Sequence, residues 1–477
     1  MRSTTWCTLL LAALAGPAAR ADGGPAPPAV PLAEVPGAAV DHAEPRERVA
    51  RLLDRIGRRF RPLRGLVPPT QGQLRLAVVL VELADAPRPP WGPAAFEAAL
   101  LSRGTYRRTA TGEPAAGSMH DYFRENSSGA LDLVGEVFDW VPIEARRADL
   151  DRRVLLDPLA RRALFRAALD GLVAREGAGA LDGFDALAFV VSGDQATRRG
   201  GVLWPHSSVT THRGRAWRYY LMHAGARRFQ AIGVHCHEMG HVLGILDKYG
   251  VGAGTGLGQW CLMAQGGHGA RQRGVPRDAP PTTFADTLRR VANEKLRDLR
   301  DLLGQGGRAP GEAGAAALGD ARPLHLCAVC KVRLGWSPAR VIDPRRPARF
   351  FLTPVEEDAS QVARILLDPR GRETLVLEHR GQRGFDAGLP AAGLLVWRVG
   401  SPSALARTFV PFERVELVPA HGVRSIDAPL RAPASVPFPA DRDAVTVRGT
   451  LPGSWAVRLE QIRLEDGRLS LTARVER

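Results

Sequence analysis

Hydrophobic and polar positions alternate in different ways along the chain. From Leu74 a run of Val and Leu, LRLAVVLVELADAP, is bounded by turn formers and predicts a buried strand that opens a folded domain. GSMHDYFRENSSGALDLVGEVFDWVPI, residues 117–143, sets aromatics on one helix face. At Asn126-Ser127-Ser128-Gly129 it passes into alternating apolar residues, so helix, turn and strand are expected in that order. An amphipathic helix is predicted from Val154 to Arg175, and FDALAFVVSGDQ, residues 184–195, reads as a second buried strand followed by a turn. Helices and strands alternate, which points to a mixed α and β domain.

The pattern differs at both ends. RERVARLLDRIGRRFRPLRG, residues 46–65, spaces apolar residues at helical intervals among arginines, and the segment 22–73 reads as a pro-segment or linker carrying one basic helix. TTFADTLRRVANEKLRDLRDLL, residues 282–303, predicts a charged amphipathic helix, and the Gly/Ala-rich stretch after it completes an insertion over about 281–319. From Arg349 onward only short alternating runs occur, among them RETLVLEHR, AGLLVWRVG, DAVTVRGTL and GRLSLTARVE, separated by Gly, Pro and Asp. They predict a β-rich, sandwich-like C-terminal domain over 343–477, after an α+β domain over 74–342.

The first residues change where the chain is expected to work. Arg2, an apolar run from Trp6 to Ala15 and the small-x-small triplet Ala19-Arg20-Ala21 have the form of a secretory signal, residues 1–21, so a secreted, extracellular or periplasmic protein is expected. The apolar run is well short of the roughly 20 residues that span a bilayer, and no later segment is longer, so stable membrane insertion is not expected. The net charge of +15 is carried almost wholly by arginines dispersed along the chain, with only 6% aromatic residues to interleave. A nucleic-acid partner is therefore not expected.

Export would leave Cys236, Cys261, Cys327 and Cys330 in an oxidising compartment. Cys327 and Cys330 have the spacing of half a zinc knuckle, but no second such pair exists. Disulfides are the expectation, with Cys261 and Cys330 as the first pairing among the three possible.

The candidate chemistry gathers in FQAIGVHCHEMGHVLGILDKYG, residues 229–250. His237 and His241 lie four apart, on one face of a helix and one turn above each other, where two imidazoles can share a metal. Glu238 stands on an adjoining face, placed to reach a metal-bound water as general base without being a ligand. Gly244 falls where a chain leaving a helix needs a residue tolerant of positive φ, and the turn can bring Asp247 back as third ligand. Three protein ligands with an open fourth position are the arrangement of catalytic rather than structural zinc. His235 sits on another helix face. Met263, in the Gly-rich WCLMAQGG, is spaced for a methionine turn beneath the site.

With helix, glycine turn, acidic third ligand and methionine turn in this order, the chain resembles the metzincin type of metallopeptidase, and more narrowly the immune inhibitor A family of secreted bacterial enzymes. VVLVELADAP, LWPHSS, HLCAVCKVRLGW and LVLEHRGQRGFDAGLPAAGLLVW carry the likeness beyond the zinc helix, over roughly residues 74 to 400. The resemblance implies a metzincin-like catalytic domain with a twisted mixed sheet and an active-site helix. It also implies one catalytic Zn2+, protein or peptide substrates and synthesis as a zymogen. Calcium is compatible with it and not indicated by any motif. Arg398 stands where the family often has a His, and the insertion at 281–319 is unusual. Some metzincins place a tyrosine two residues after the methionine; here that residue is Gln265, which leaves Tyr249, His268 and His325 as candidates for stabilising the transition state.

The function expected is hydrolysis of peptide bonds by a zinc-bound water activated by Glu238. Two alternatives keep the same residues: an extracellular binding protein on a peptidase scaffold, and a zinc hydrolase of a non-peptide amide. A retired site has no chemical reason to keep Glu238, which argues against the first.

Overall fold

The computed structural model describes residues 29–35, 66–151, 158–194, 202–248, 257–269, 322–400, 414–421, 436–440 and 442–476. The expected signal segment 1–21, the basic helix 46–65, the helix 282–303 with the rest of the insertion, and Tyr249 lie outside these residues. Strands β1 to β6 are Val30–Pro31, Gly72–Leu83, Leu131–Ile143, Ala186–Ser192, His206–His212 and Arg215–Ala224. The last five form one sheet in the order β3-β2-β4-β6-β5, in which every neighbouring pair is parallel except β5 with β6.

Alternation along β2 decides what lies on each face of this sheet. Leu74, Leu76, Val78 and Leu80 point to one core, whereas Ala77, Val79, Val81 and Leu83 point to another. Against the second core lies a long helix, Pro158–Glu176, through Leu164, Phe165, Ala168, Leu169, Leu172 and Val173. It overlaps the expected helix, starting at Pro158, and residues 152–157 lie outside the description. The first core takes the helices Pro93–Leu100, Met119–Asn126 and Gly233–Val242. Met119–Asn126 starts at a capping box, in which Ser118 accepts from Asp121 N–H and the Asp121 side chain accepts from Ser118 N–H. It ends where Ser128 and Gly129 take positive φ, the turn expected from Asn126-Ser127-Ser128-Gly129.

The C-terminal residues form two more five-stranded sheets. Strands β7 to β12 are Ala339–Ile342, Ala348–Leu352, Val362–Leu366, Thr374–Arg380, Gly393–Gly400 and Arg414–Val418, and β13 to β15 are Val445–Arg448, Ala456–Glu465 and Arg468–Val475. They pair as β12-β11-β10-β9-β7 and β1-β8-β15-β14-β13. Leu375, Leu377, Leu394 and Val396 face the space between the two sheets, while Val376, Leu395, Trp397 and Val399 face the core that also holds the helix Gly233–Val242. The first of these sheets is thus buried on both sides, and its strands begin at Ala339.

Between that sheet and the first domain lies a buried cluster of charge. Arg380, with no exposed surface, pairs with Asp386, Glu356 and Glu378 and donates to the carbonyl of Trp260. Residues 29–35, inside the expected pro-segment, join the C-terminal sandwich: Val30 pairs with Phe350, Leu32 and Val35 enter its core, and Arg340 donates to the Val35 carbonyl. No helix among the described residues is long and apolar enough to cross a membrane.

Candidate metal centre

The helix Gly233–Val242 packs under the sheet with nearly all its residues buried, including His237 and Glu238. It ends as expected: Gly244 takes φ +93°, its N–H bonds the His241 carbonyl at 2.9 Å, and Ile245 N–H bonds the Gly240 carbonyl at 3.0 Å. The reversal carries Asp247 back over the helix. Asp247 Oδ1 lies 3.1 Å from His237 Nε2 and 3.3 Å from His241 Nε2. Nitrogen and oxygen ligands at about 2.0–2.1 Å around a tetrahedral zinc stand about 3.3 Å apart, so the three atoms have the separations of three corners of such a site.

The outer atoms of both rings are anchored. His237 Nδ1 meets the Leu262 carbonyl at 2.9 Å and His241 Nδ1 meets the Ile245 carbonyl at 2.8 Å. Donation from Nδ1–H to a carbonyl leaves the Nε2 lone pair for a metal and fixes the ring. Glu238 is 6% exposed and its Oε2 has no hydrogen-bond partner among the described residues. Burial pushes its carboxyl above the usual range, against the pull of His241 and His237. Burial opposes protonation of His237, but its bond to Asp247 and the charge of Glu238 outweigh this and raise it. Burial likewise raises the Asp247 carboxyl, and the two imidazoles outweigh it and hold it well below the usual range. The imidazole of His237 and the carboxylate of Asp247 thus stabilise each other's charged forms at one point, where a metal cation would take the place of the shared proton. The donor set, two imidazoles and a carboxylate with an orphaned carboxylate beside them, fits zinc.

Met263 lies beneath the site as expected, fully buried, and Gly240 explains how. A Cβ on Gly240 would stand 2.5 Å from Met263 Sδ, so the sulfur rests directly on the helix backbone. Gly233 has the same relation to Gly267, whose carbonyl oxygen occupies the place of a Cβ. Lys248 N–H, one residue past Asp247, bonds the Met263 carbonyl at 2.7 Å.

Other expected residues fall elsewhere. His325 is sealed in the charged cluster, with Nε2 2.8 Å from Glu125 Oε1 and Nδ1 2.9 Å from Lys331 Nζ, so it does not face the cleft. The side chain of His268 and all of Tyr249 lie outside the described residues. His235 points away from the metal ligands toward Tyr220, whose hydroxyl is 3.3 Å from its Nδ1. Arg398 pairs with Glu373 and Glu416 in the sandwich, which places the departure from the family pattern there. The expected Cys261–Cys330 disulfide is not formed: the two sulfurs are 4.0 Å apart, about twice the bond length, and Cys327 Sγ lies 3.6 Å from Cys330 Sγ.

The ligands open on a cavity of about 1010 Å³. Its wall includes Trp204 to Val209 from β5 and the chain before it, Arg218, Arg333, and Val67 and Thr70 from the end of the expected pro-segment. Arg218 donates to the His241 carbonyl at 3.2 Å. Neither Arg218 nor the Leu262 carbonyl was signalled by the motif, since each reaches the helix Gly233–Val242 from a segment more than twenty residues away that only the folded sheet and turn bring back.

Residues 173–291 match the family model described as immune inhibitor A peptidase M6, catalytic domain, and no curated protein matches the chain. The matched stretch contains His237, Glu238, His241, Asp247 and Met263.

Proposed function

From the match of residues 173–291 to the catalytic-domain model of the immune inhibitor A peptidases, we propose that the chain is a zinc-dependent endopeptidase of metzincin type, exported and acting on protein substrates. The observation that carries this reading is the convergence of His237 Nε2, His241 Nε2 and Asp247 Oδ1 beside the unpartnered carboxylate of Glu238, at the wall of a large open cavity. When bound, zinc would polarise the scissile carbonyl and lower the pKa of a coordinated water toward about 7.

The chain's own residues supply the rest. Glu238, whose carboxyl burial holds above the usual range, takes the proton of the attacking water on its Oε2 and later passes it to the leaving amine. The Leu262 and Ile245 carbonyls keep the two imidazoles in the ligating tautomer. Strand β5 favours a peptide substrate over other amides. It is the edge strand of its sheet and runs along the cavity, so its outer N–H and C=O groups can pair with an extended chain laid over the ligands. Val67 and Thr70 share that wall, and the same reading gives the preceding segment a covering role until it is cut away.

The test sets zinc content beside hydrolysis of casein for the wild-type chain and Glu238→Gln. Zinc in both with cleavage only in the wild type is the expected result. Undiminished cleavage by the Gln variant would remove Glu238 from its role.

A further inference from the structure

Three cysteines meet in the core, one of them, Cys261, next in sequence to Leu262, whose carbonyl anchors His237. Cys327 Sγ lies 3.6 Å from Cys330 Sγ, and Cys330 Sγ lies 4.0 Å from Cys261 Sγ. All three sulfurs fall within 4.8 Å of one another, and the side chains are 0% or 1% exposed. A disulfide would draw two of them to about 2.0 Å and strand the third. Sulfurs held at about 2.3 Å from a tetrahedral zinc stand about 3.8 Å apart, midway between the two separations observed.

We propose that Cys261, Cys327 and Cys330 supply three of the ligands of a second, structural metal ion, a thiophilic d10 cation of the zinc class, that staples the methionine turn to the helix Ala328–Leu334; no further His, Cys, Asp or Glu among the described residues joins the three sulfurs, so the fourth position falls to a group from outside this set. Cys261 sits just after the short 3-10 turn Gly258–Trp260, and Cys327 is the N-cap of that helix. The staple spans the sequence interval containing the expected insertion, 66 residues from Cys261 to Cys327. The half-knuckle spacing of Cys327 and Cys330 lacked a second cysteine pair in the sequence; the turn before Met263 supplies the third sulfur instead.

The environment of Cys261 already suits a thiolate. The Cys327 N–H lies 3.4 Å from its sulfur, and the Met263 N–H also donates to it. A divalent cation would displace the thiol protons and leave three thiolates around one centre.

The position of the staple gives it a consequence for the first site. Leu262 lies between Cys261 and Met263, and its carbonyl anchors His237 Nδ1. Leu262 N–H is itself bound to the His325 carbonyl at 3.0 Å, two residues before Cys327. The thiolate site would hold this carbonyl in place, and only this last point rests on the catalytic reading.

Cobalt separates the two sites without any variant, since the His/His/Asp set contains no sulfur. The full chain, purified under reducing conditions and reconstituted with Co2+, is expected to show the near-ultraviolet thiolate-to-cobalt charge-transfer bands. In His237→Ala/His241→Ala these bands should persist, and native mass spectrometry after zinc loading should retain one Zn2+ per chain. Cys327→Ser in that background should abolish both signals. A wild-type chain without the charge-transfer bands, or one whose intact mass is two hydrogens lighter with no metal retained, would overturn the proposal. A failure of the peptidase assay would leave these readouts unaffected.

Discussion

The two donor clusters, His237/His241/Asp247 and Cys261/Cys327/Cys330, are brought together in the fold by the segment 261–263 and differ in nearly every physical respect. The first combines nitrogen and oxygen on a cavity wall, with the Asp247 side chain 54% exposed. The second is all sulfur and sealed in the core. An open hard-to-borderline set leaves room for water and substrate, whereas a closed soft set leaves room for neither. With both proposed ions bound, exposure and donor type would separate a working metal from a structural one, and the segment 261–263 would couple them.

The sharpest way to break the comparison is to delete a ligand from the open site. His241→Ala should lose the catalytic zinc together with all casein hydrolysis, as read by zinc stoichiometry and product release. Persistence of that zinc would show that Nε2 is not a ligand. Next in size, Glu238→Gln should keep the metal and lower turnover by about 10²–10⁴-fold, the usual contribution of a positioned general base.

Cys261→Ser tests the link between the clusters. By freeing the Leu262 carbonyl it should weaken zinc binding at the histidines by about 10-fold or more, the typical effect of losing an outer support of a ligand. Competition with a chelator at graded concentrations measures this, and unchanged affinity would show that the clusters are independent.

A smaller effect belongs to the packing beneath both. Gly240→Ala places a methyl on Met263 Sδ and should cost about 1–3 kcal/mol of stability, as overpacking does. Met263→Ala in the same chain should cost less than the sum of the two single changes, because it removes the atom that the methyl strikes. Simple additivity in chemical unfolding would contradict the contact.

The smallest expected effect concerns acid. His206 and His223, on β5 and β6, are each lowered to about 4, first by burial. Unfolded histidine titrates near 6.5, so between these values the unfolded chain binds more protons. The stability they lend is complete above about pH 6.5 and is lost as pH falls toward about 4. Thermal midpoints taken across that window should decline on acidification, and His223→Leu should flatten part of the decline. An unchanged slope in that variant would remove His223 from the account.

Much of the site was legible because it is local. Four-residue spacing alone puts His237 and His241 on one helix face, and Gly244 marks where the chain can turn back toward them. Strands β2 and β4 were legible for a related reason: a centre buried on both faces demands a continuous run of Val, Leu and Ala. The cysteines were harder to read. Their spacing suggested half a knuckle and then, lacking a second pair, a Cys261–Cys330 bond; nothing local says that the methionine turn brings a third sulfur to the same point.

The sequence by itself determined the mixed α and β order, the β-rich C-terminal region, the helix that carries His237, Glu238 and His241, and the family match along the segment that holds it. Such features are set by periodicities of two and 3.6 residues and by turns of a few residues, over which the backbone has few choices. Tertiary structure alone decided that one C-terminal sheet is buried on both sides, that His325 is locked in a charged cluster, that β5 borders the cavity, and that three sulfurs converge behind the candidate metal ligands. These depend on contacts between segments tens of residues apart, where the packing of two cores, and no local preference, selects which side chains meet.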